Sequence, residues 1–125
     1  MIVGIGTDIV EKVRVMHALL KNGFKQRVYT EYEINKGNRM NLSAADFWSG
    51  RWAAKEAFGK ALGTGIGESC SLQDVEVRSR KNGAPYIEAS GAAKKRMEDI
   101  GAKHIWVTIS HERDYVVATV VLEGE

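Results

Sequence analysis

Cysteine and proline are nearly absent from this chain: its 125 residues hold one of each, Cys70 and Pro85. One thiol cannot close an internal disulfide, and no CxxC or Cys/His cluster suits zinc. Cys70 therefore reads as a buried or incidental thiol. An excess of one charge is missing too. The 18 basic and 16 acidic residues leave a formal charge of +2, a balance that by itself points neither to nucleic acid nor to a membrane surface. No run is apolar for long enough to span a bilayer. Met1 to Val10 carries no basic leader or signal-type apolar run, and Asp8 interrupts it early. Repeats, low-complexity tracts and linker-like runs are also lacking. The expectation is a reducing, cytoplasmic compartment and no membrane partner.

What is present is ordinary for a globular domain. A hydrophobic content of 44% argues against disorder. A chain of this length makes one domain, 1–125, able to bury roughly two thirds of its unfolded surface.

The pattern of residues sets out the elements. Met1 to Val10 reads as a strand with Asp8 near its end. Glu11 to Leu20 reads as a short helix with Val13, Met16 and Leu20 on one face. Thr30 followed by Glu33 is a capping box that starts another helical piece. The clearest helix runs from Ala44 to Leu62, with Ser43 and Asp46 as start signals and Gly63 as a stop. Phe47, Ala54, Phe58 and Leu62 form its apolar stripe, with Arg51, Lys55, Glu56 and Lys60 off it. Val75 and Val77 alternate with polar residues, Asn82-Gly83 is a hairpin turn, and Tyr86 to Ala89 returns. Ser90 to Ile100 is a helix with Ala93, Met97 and Ile100 inward and Gly101 closing it. His104 to His111 and Tyr115 to Glu123 are strands joined at Arg113-Asp114. Strands that meet through hairpins imply an antiparallel sheet with helices packed on it, the α+β class. The last strand is apolar almost throughout, which implies cover on both faces, by an internal helix or by a neighbouring subunit.

Few residues stand out for chemistry. Asp8 fits either a turn or helix cap or a metal ligand held by a rigid strand. Glu56 and Lys60, four apart on a helix, fit a solvated ion pair. Yet the helix ends within a turn of Lys60, in Gly63-Thr64-Gly65-Ile66-Gly67. The backbone N–H groups of such a loop can approach phosphate closely, although a C-cap and surface loop explain the glycines equally well. No helix N-terminus faces that loop, so neutralising a phosphate there falls to Lys60, Arg51, Lys55 and a metal. Ser110-His111, at a strand end beside Arg113, suits either a structural hydrogen bond or an anion contact.

Three blocks, GIGTDIVE, GRWAAKEAFGKALGTGIG and TISH with a final strand, resemble the holo-acyl-carrier-protein synthases, the small single-domain 4′-phosphopantetheinyl transferases. The NGAPY of the hairpin is similar to that family's NGKPY. The resemblance covers nearly the whole chain. It implies transfer of the 4′-phosphopantetheine arm of coenzyme A to a serine of apo-acyl carrier protein, leaving adenosine 3′,5′-bisphosphate, in support of fatty acid biosynthesis. It implies Mg2+ held by Asp8 and Glu56, and Lys60 at the pyrophosphate as a catalytic residue with Glu56. Arg51 and His111 would hold the nucleotide phosphates, and Gly63, Gly65 and Gly67 would line the nucleotide. Arg14 would meet the acidic carrier protein, and the assembly would be a homotrimer with sites between subunits. Either Glu56 through a water or a metal-bound water would take the serine proton. Two features depart from the family: Glu112 stands where threonine is common, and Asn35 to Leu42 is unusually polar and basic.

The rival reading is a non-catalytic binding module for an acidic protein, using Arg14, Lys21, Lys25 and Arg27. It has no need of Asp8 and Glu56 together. A nucleic-acid binder would show a larger basic excess. Since the basic residues cluster on and after the first helix, carrier-protein affinity should fall as salt rises. Arg14→Glu should weaken carrier binding more than coenzyme A binding; equal losses, measured by titration calorimetry, would remove this helix as the docking surface.

Overall fold

The computed structural model describes all 125 residues. In chain order the elements are β1 (Ile2–Glu11), α1 (Lys12–Ala18), α2 (Phe24–Val28), α3 (Glu31–Gly37) and α4 (Ala44–Ala61). A 3-10 turn (Leu72–Asp74) then leads to β2 (Val75–Ser79), β3 (Pro85–Ala89), α5 (Gly91–Asp99), β4 (His104–His111) and β5 (Tyr115–Glu123). All strand pairs are antiparallel. They form two sheets, a three-stranded β1-β5-β4 and the separate hairpin β2-β3. The α+β class stands.

The helix α4 is the centre of the core. Phe47, Ala53, Ala54, Ala57, Phe58 and Ala61 are all buried along it. Its alanines let it come close to β1, and β1 answers with glycine. A Cβ on Gly6 would lie 2.1 Å from the Ala57 carbonyl oxygen, and one on Gly4 would lie 2.0 Å from that of Ala61. Helix backbone therefore rests directly on strand backbone. Val116, Ala118, Val120 and Leu122 of β5 are fully buried, in the layer between the sheet and α4.

Three expectations need correction. The last strand does not have both faces covered within the chain: its burial alternates. On the open face Ile5, Ile9 and Trp106 are 66%, 65% and 58% exposed, and Ile5 and Trp106 flank Val121 across the sheet. No internal helix covers them. The first helix ends at Ala18, so Leu20 is not on it, and Val13 and Leu20 are exposed while Val15 is buried. The inward face is set by Val15, which joins Val28, Tyr29, Phe47 and Trp48 in a second cluster.

Lys55 is the third correction. It lies on no polar face and neutralises no ligand, because it and Glu33 are both fully buried and paired at 2.8 Å. The Thr30–Glu33 capping box forms as expected, but the Glu33 carboxylate does more. One oxygen accepts from the Thr30 N–H at 2.8 Å, and the other accepts from the Val77 N–H at 2.7 Å. The Lys55 ammonium also donates to the carbonyls of Leu72 and Val75. Burial pulls its pKa below the ordinary lysine value, and Glu33 opposes that shift. The pair ties α3, α4 and β2 together, and each partner satisfies the other. Removing one leaves an uncompensated buried charge. Lys55→Met should cost about 3–5 kcal/mol of stability, read by urea denaturation. A loss below 1 kcal/mol would mean that the pair carries little of the fold.

Candidate active site

The sequence placed Asp8 near the end of a strand. In the structure β1 continues to Glu11, and Asp8 pairs with Ala118 inside the ladder. That rules out a turn or cap. Strand periodicity puts Asp8 on the same face as Gly4 and Gly6, towards α4. One of its carboxylate oxygens accepts from the Lys60 ammonium at 3.2 Å, and Lys60 also donates to the Thr7 carbonyl at 3.0 Å. Glu56 comes one helical turn before Lys60. Its pKa is raised, first by burial and then by the Asp8 charge, with Lys60 opposing. Two carboxylates thus converge from a strand and a helix, with one half-exposed ammonium between them and solvent.

Such a pair fits a hard divalent cation: it supplies oxygen ligands of the right charge, and their mutual repulsion is what a cation relieves. No third His, Cys, Asp or Glu joins them, so a cation held there would take its remaining ligands from water and substrate.

Beyond Lys60 the chain turns at Gly63 and Gly65, both with positive φ. The Gly65 N–H donates to the Gly59 carbonyl at 2.9 Å, folding the loop back on the helix end. Space beside Gly65 and Gly67 is open, so the loop offers bare backbone within a turn of Lys60.

Arg51 and His111 lie elsewhere. Both line a cleft of about 310 Å³ with Asp46, Phe47, Ser79 and Pro85. The Arg51 guanidinium stacks on the Phe47 ring at 4.3 Å and donates to the Ser79 hydroxyl at 2.9 Å. Its buried Nε has no partner, and burial lowers its pKa. A desolvated, under-bonded cation in a cleft is a site for an anion. From Arg51 to Lys60 is nine residues, about two and a half turns and a rise of about 13 Å, so the two side chains leave opposite sides of α4. Asp8 is on one edge strand of the three-stranded sheet and His111 on the other. The structure therefore brings together Asp8, Glu56, Lys60 and the glycine loop, and separately Arg51 with His111.

Arg14 is exposed on α1 and paired with Glu11 at 3.3 Å. Of the basic stretch Asn35 to Leu42, Met40 lines the Arg51 cleft. Sequence reasoning missed Ser79, Pro85 and the lining role of Asp46. Only the adjoining NGAPY block hinted at this wall. Glu112 turns away from the cleft: its carboxylate accepts from the N–H groups of Asp114 and Tyr115, both at 2.8 Å.

Comparison with known proteins identifies the family. The family model described as the 4′-phosphopantetheinyl transferase superfamily matches residues 4–120. The chain is 41% identical over 125 residues to a holo-[acyl-carrier-protein] synthase of Vibrio parahaemolyticus, covering 98% of each chain. It is 43% identical to one from Shewanella frigidimarina, again with 98% of each covered. Among solved structures, the holo-[acyl-carrier-protein] synthase of Neisseria meningitidis superposes with a TM-score of 0.89 at 34% identity, covering 98% of this chain and 99% of that one. The Bacillus anthracis enzyme in complex with coenzyme A superposes with a TM-score of 0.85 at 40% identity, covering 100% and 99%. Within the superfamily, the chain belongs to the holo-[acyl-carrier-protein] synthases. It is an enzyme that moves phosphopantetheine from coenzyme A to the apo-acyl carrier protein.

The backbone bonds to Glu112 hold its carboxyl below the ordinary glutamate value of 4.5. Its contribution to the β4–β5 turn is complete above that ordinary value and is lost as pH falls through the lowered one. In an NMR titration the amide protons of Asp114 and Tyr115 should shift with a midpoint below 4.5, and Glu112→Ala should abolish the shift. A midpoint at or above the ordinary value would contradict the cap.

Proposed function

We propose that this transferase binds one Mg2+ ion through Asp8 and Glu56. In the same reading it works as a homotrimer whose sites each span two chains, and it serves fatty acid biosynthesis in the cytoplasm. The observation that carries this reading is the division of charge between the two edges of the β1-β5-β4 sheet. A carboxylate pair with Lys60 lies at one edge, and an anion cleft with Arg51 and His111 lies at the other.

The chemistry asks for little covalent participation by the protein. The serine oxygen attacks the phosphorus joined to the pantetheine arm, the P–O bond to the nucleotide's phosphate breaks, and the nucleotide leaves as a bisphosphate. The protein's tasks are alignment and neutralisation. Asp8 and Glu56 would hold the ion, which when bound offsets negative charge on the pyrophosphate oxygens. Lys60, already beside Asp8, is placed to meet charge on the leaving phosphate. Glu56, its pKa raised by burial and by Asp8, is the group on this chain that would accept the serine proton through a water, the alternative being a water on the ion. The bare backbone at Gly63, Gly65 and Gly67 lets the cofactor lie against the end of α4. Arg51 and His111 hold a nucleotide phosphate.

One coenzyme A cannot lie against Lys60 and Arg51 of the same chain, because α4 stands between them. A cyclic assembly removes the difficulty by setting the Asp8 edge of one chain against the Arg51–His111 edge of the next. The open sheet face supports this, since its exposed Ile5, Ile9 and Trp106 are apolar surface that a partner would bury. Arg14, beside the exposed Val13 and Leu20, offers the carrier protein a positive charge with apolar contacts around it. No helix is long and apolar enough to cross a membrane, which is compatible with a cytoplasmic site of action.

A test follows from mixing chains. Asp8→Asn and Glu56→Gln should each lower kcat by about a hundredfold or more, equivalent to at least about 2.7 kcal/mol of transition-state stabilisation, and mass spectrometry of the carrier protein reads the transfer. Sedimentation should give three chain masses. After subunit exchange, Glu56→Gln chains mixed with Arg51→Ala chains should regain activity at limiting coenzyme A that neither has alone. A fully active monomer, or no recovery despite proven exchange, would reject the shared site.

A further inference from the structure

Asp46 is an anomaly in the Arg51–His111 cleft. It is an acidic lining residue, and a free carboxylate there would repel the phosphate that Arg51 attracts. It is not free. One oxygen pairs with the Lys12 ammonium at 2.5 Å, and the other lies 3.4 Å from the His111 Nδ1.

Lys12 is itself held in place. It is largely buried. Its ammonium donates to the Glu112 carbonyl, and its backbone N–H donates to the Asp114 carbonyl at 2.9 Å. Asp46 lies in the first turn of α4, where a carboxylate complements the helix dipole. The network thus joins the start of α1, the start of α4 and the turn after β4. It uses Lys12 to cancel one charge and sets a carboxylate oxygen beside the imidazole. With Nδ1 on the Asp46 side, Nε2 is the ring atom left for a ligand in the cleft, and it donates to a phosphate when both ring nitrogens carry protons.

We infer that Asp46, neutralised by Lys12, is a positioning residue that orients the His111 ring so that, in its doubly protonated form, Nε2–H donates to the nucleotide phosphate of coenzyme A. This rests on the nucleotide reading of the cleft given above.

The test is a double-mutant cycle on the full-length enzyme, with KM for coenzyme A and kcat measured separately. His111→Ala and Asp46→Ala should each raise KM by about tenfold, the loss of one hydrogen bond to a charged group, with kcat little changed. The double variant should be no worse than His111→Ala alone. Asp46→Glu should recover most of the loss, and Asp46→Leu, close in shape but without an acceptor, should show the same loss where Asp46→Ala fails to fold. Effects that multiply in the double variant would overturn the positioning role, as would a lower KM in Asp46→Ala. If His111→Ala leaves KM unchanged, the nucleotide reading of the cleft fails and this role with it. If His111→Ala raises KM while Asp46→Ala and Asp46→Leu do not, the positioning role alone fails. Ring 1H–15N spectra without coenzyme A give an independent reading. In its neutral form the His111 ring should carry its proton on Nδ1 in the parent enzyme and lose that preference in Asp46→Leu, which is close in shape and has no acceptor, and a neutral parent ring protonated on Nε2 would refute the arrangement.

Discussion

The close contact between α4 and β1 is the constraint on which the rest of this structure depends. Helix and sheet commonly meet through side chains on both surfaces; here Gly4 and Gly6 remove them from the strand. The helix backbone at Ala57 and Ala61 settles against the strand in their place. That proximity is what lets Asp8, two residues beyond Gly6, reach Lys60 and share an electrostatic field with Glu56. A single added methyl at Gly6 would push the helix away and separate the two halves of the carboxylate site. The glycines of GIGTD are therefore as much part of the site as the aspartate.

The position of α4 is secured from its other side by the buried Glu33–Lys55 pair. Lys55 precedes Glu56 in sequence, so anchoring one to α3 and β2 fixes the direction in which the other leaves the helix. Consecutive residues on a helix diverge by about 100°, which is why one points into the interior and the next towards Asp8. The same geometry divides the candidate site. The helix α4 packs chiefly on β1 and β5 and less on β4, and the cleft at Arg51 looks away from the carboxylates. An uncovered apolar sheet face and a cationic cleft set apart from the carboxylates are the two features on which the shared-site proposal rests.

Much of this was legible in the residues. The period of Phe47, Ala54, Phe58 and Leu62, with Gly63 after it, marked α4 almost to its ends, because that signal is local. The capping box at Thr30, the turn at Asn82-Gly83 and the final two strands were equally local and were read correctly. Errors arose where burial depends on distant partners. Lys55 looked like a surface cation because lysine usually is one; only the carboxylate of Glu33, 22 residues earlier, makes its burial tolerable. Asp8 looked like a strand end because aspartate rarely sits within a ladder; the Lys60 ammonium and the α4 flank are what keep it there. Val13 and Leu20 matched a helical face that the short α1 does not complete.

The sequence alone determined which residues are candidates for the chemistry: the blocks GIGTDIVE and GRWAAKEAFGKALGTGIG contain the carboxylates, the lysine and the glycine loop, and their composition is chemical information that needs no coordinates. It also determined the order and kind of the elements, since hydrophobic periodicity, caps and turns act over a few residues. Only the tertiary structure decided which of those residues stand together. It placed Arg51 and His111 across α4 from Lys60, bound Asp46 between Lys12 and His111, turned the Glu112 carboxylate into a turn cap and left one sheet face bare. These outcomes depend on distances between residues far apart in the chain. Such distances come from how closely the backbones pack, a quantity set by the whole core and by no local run of sequence.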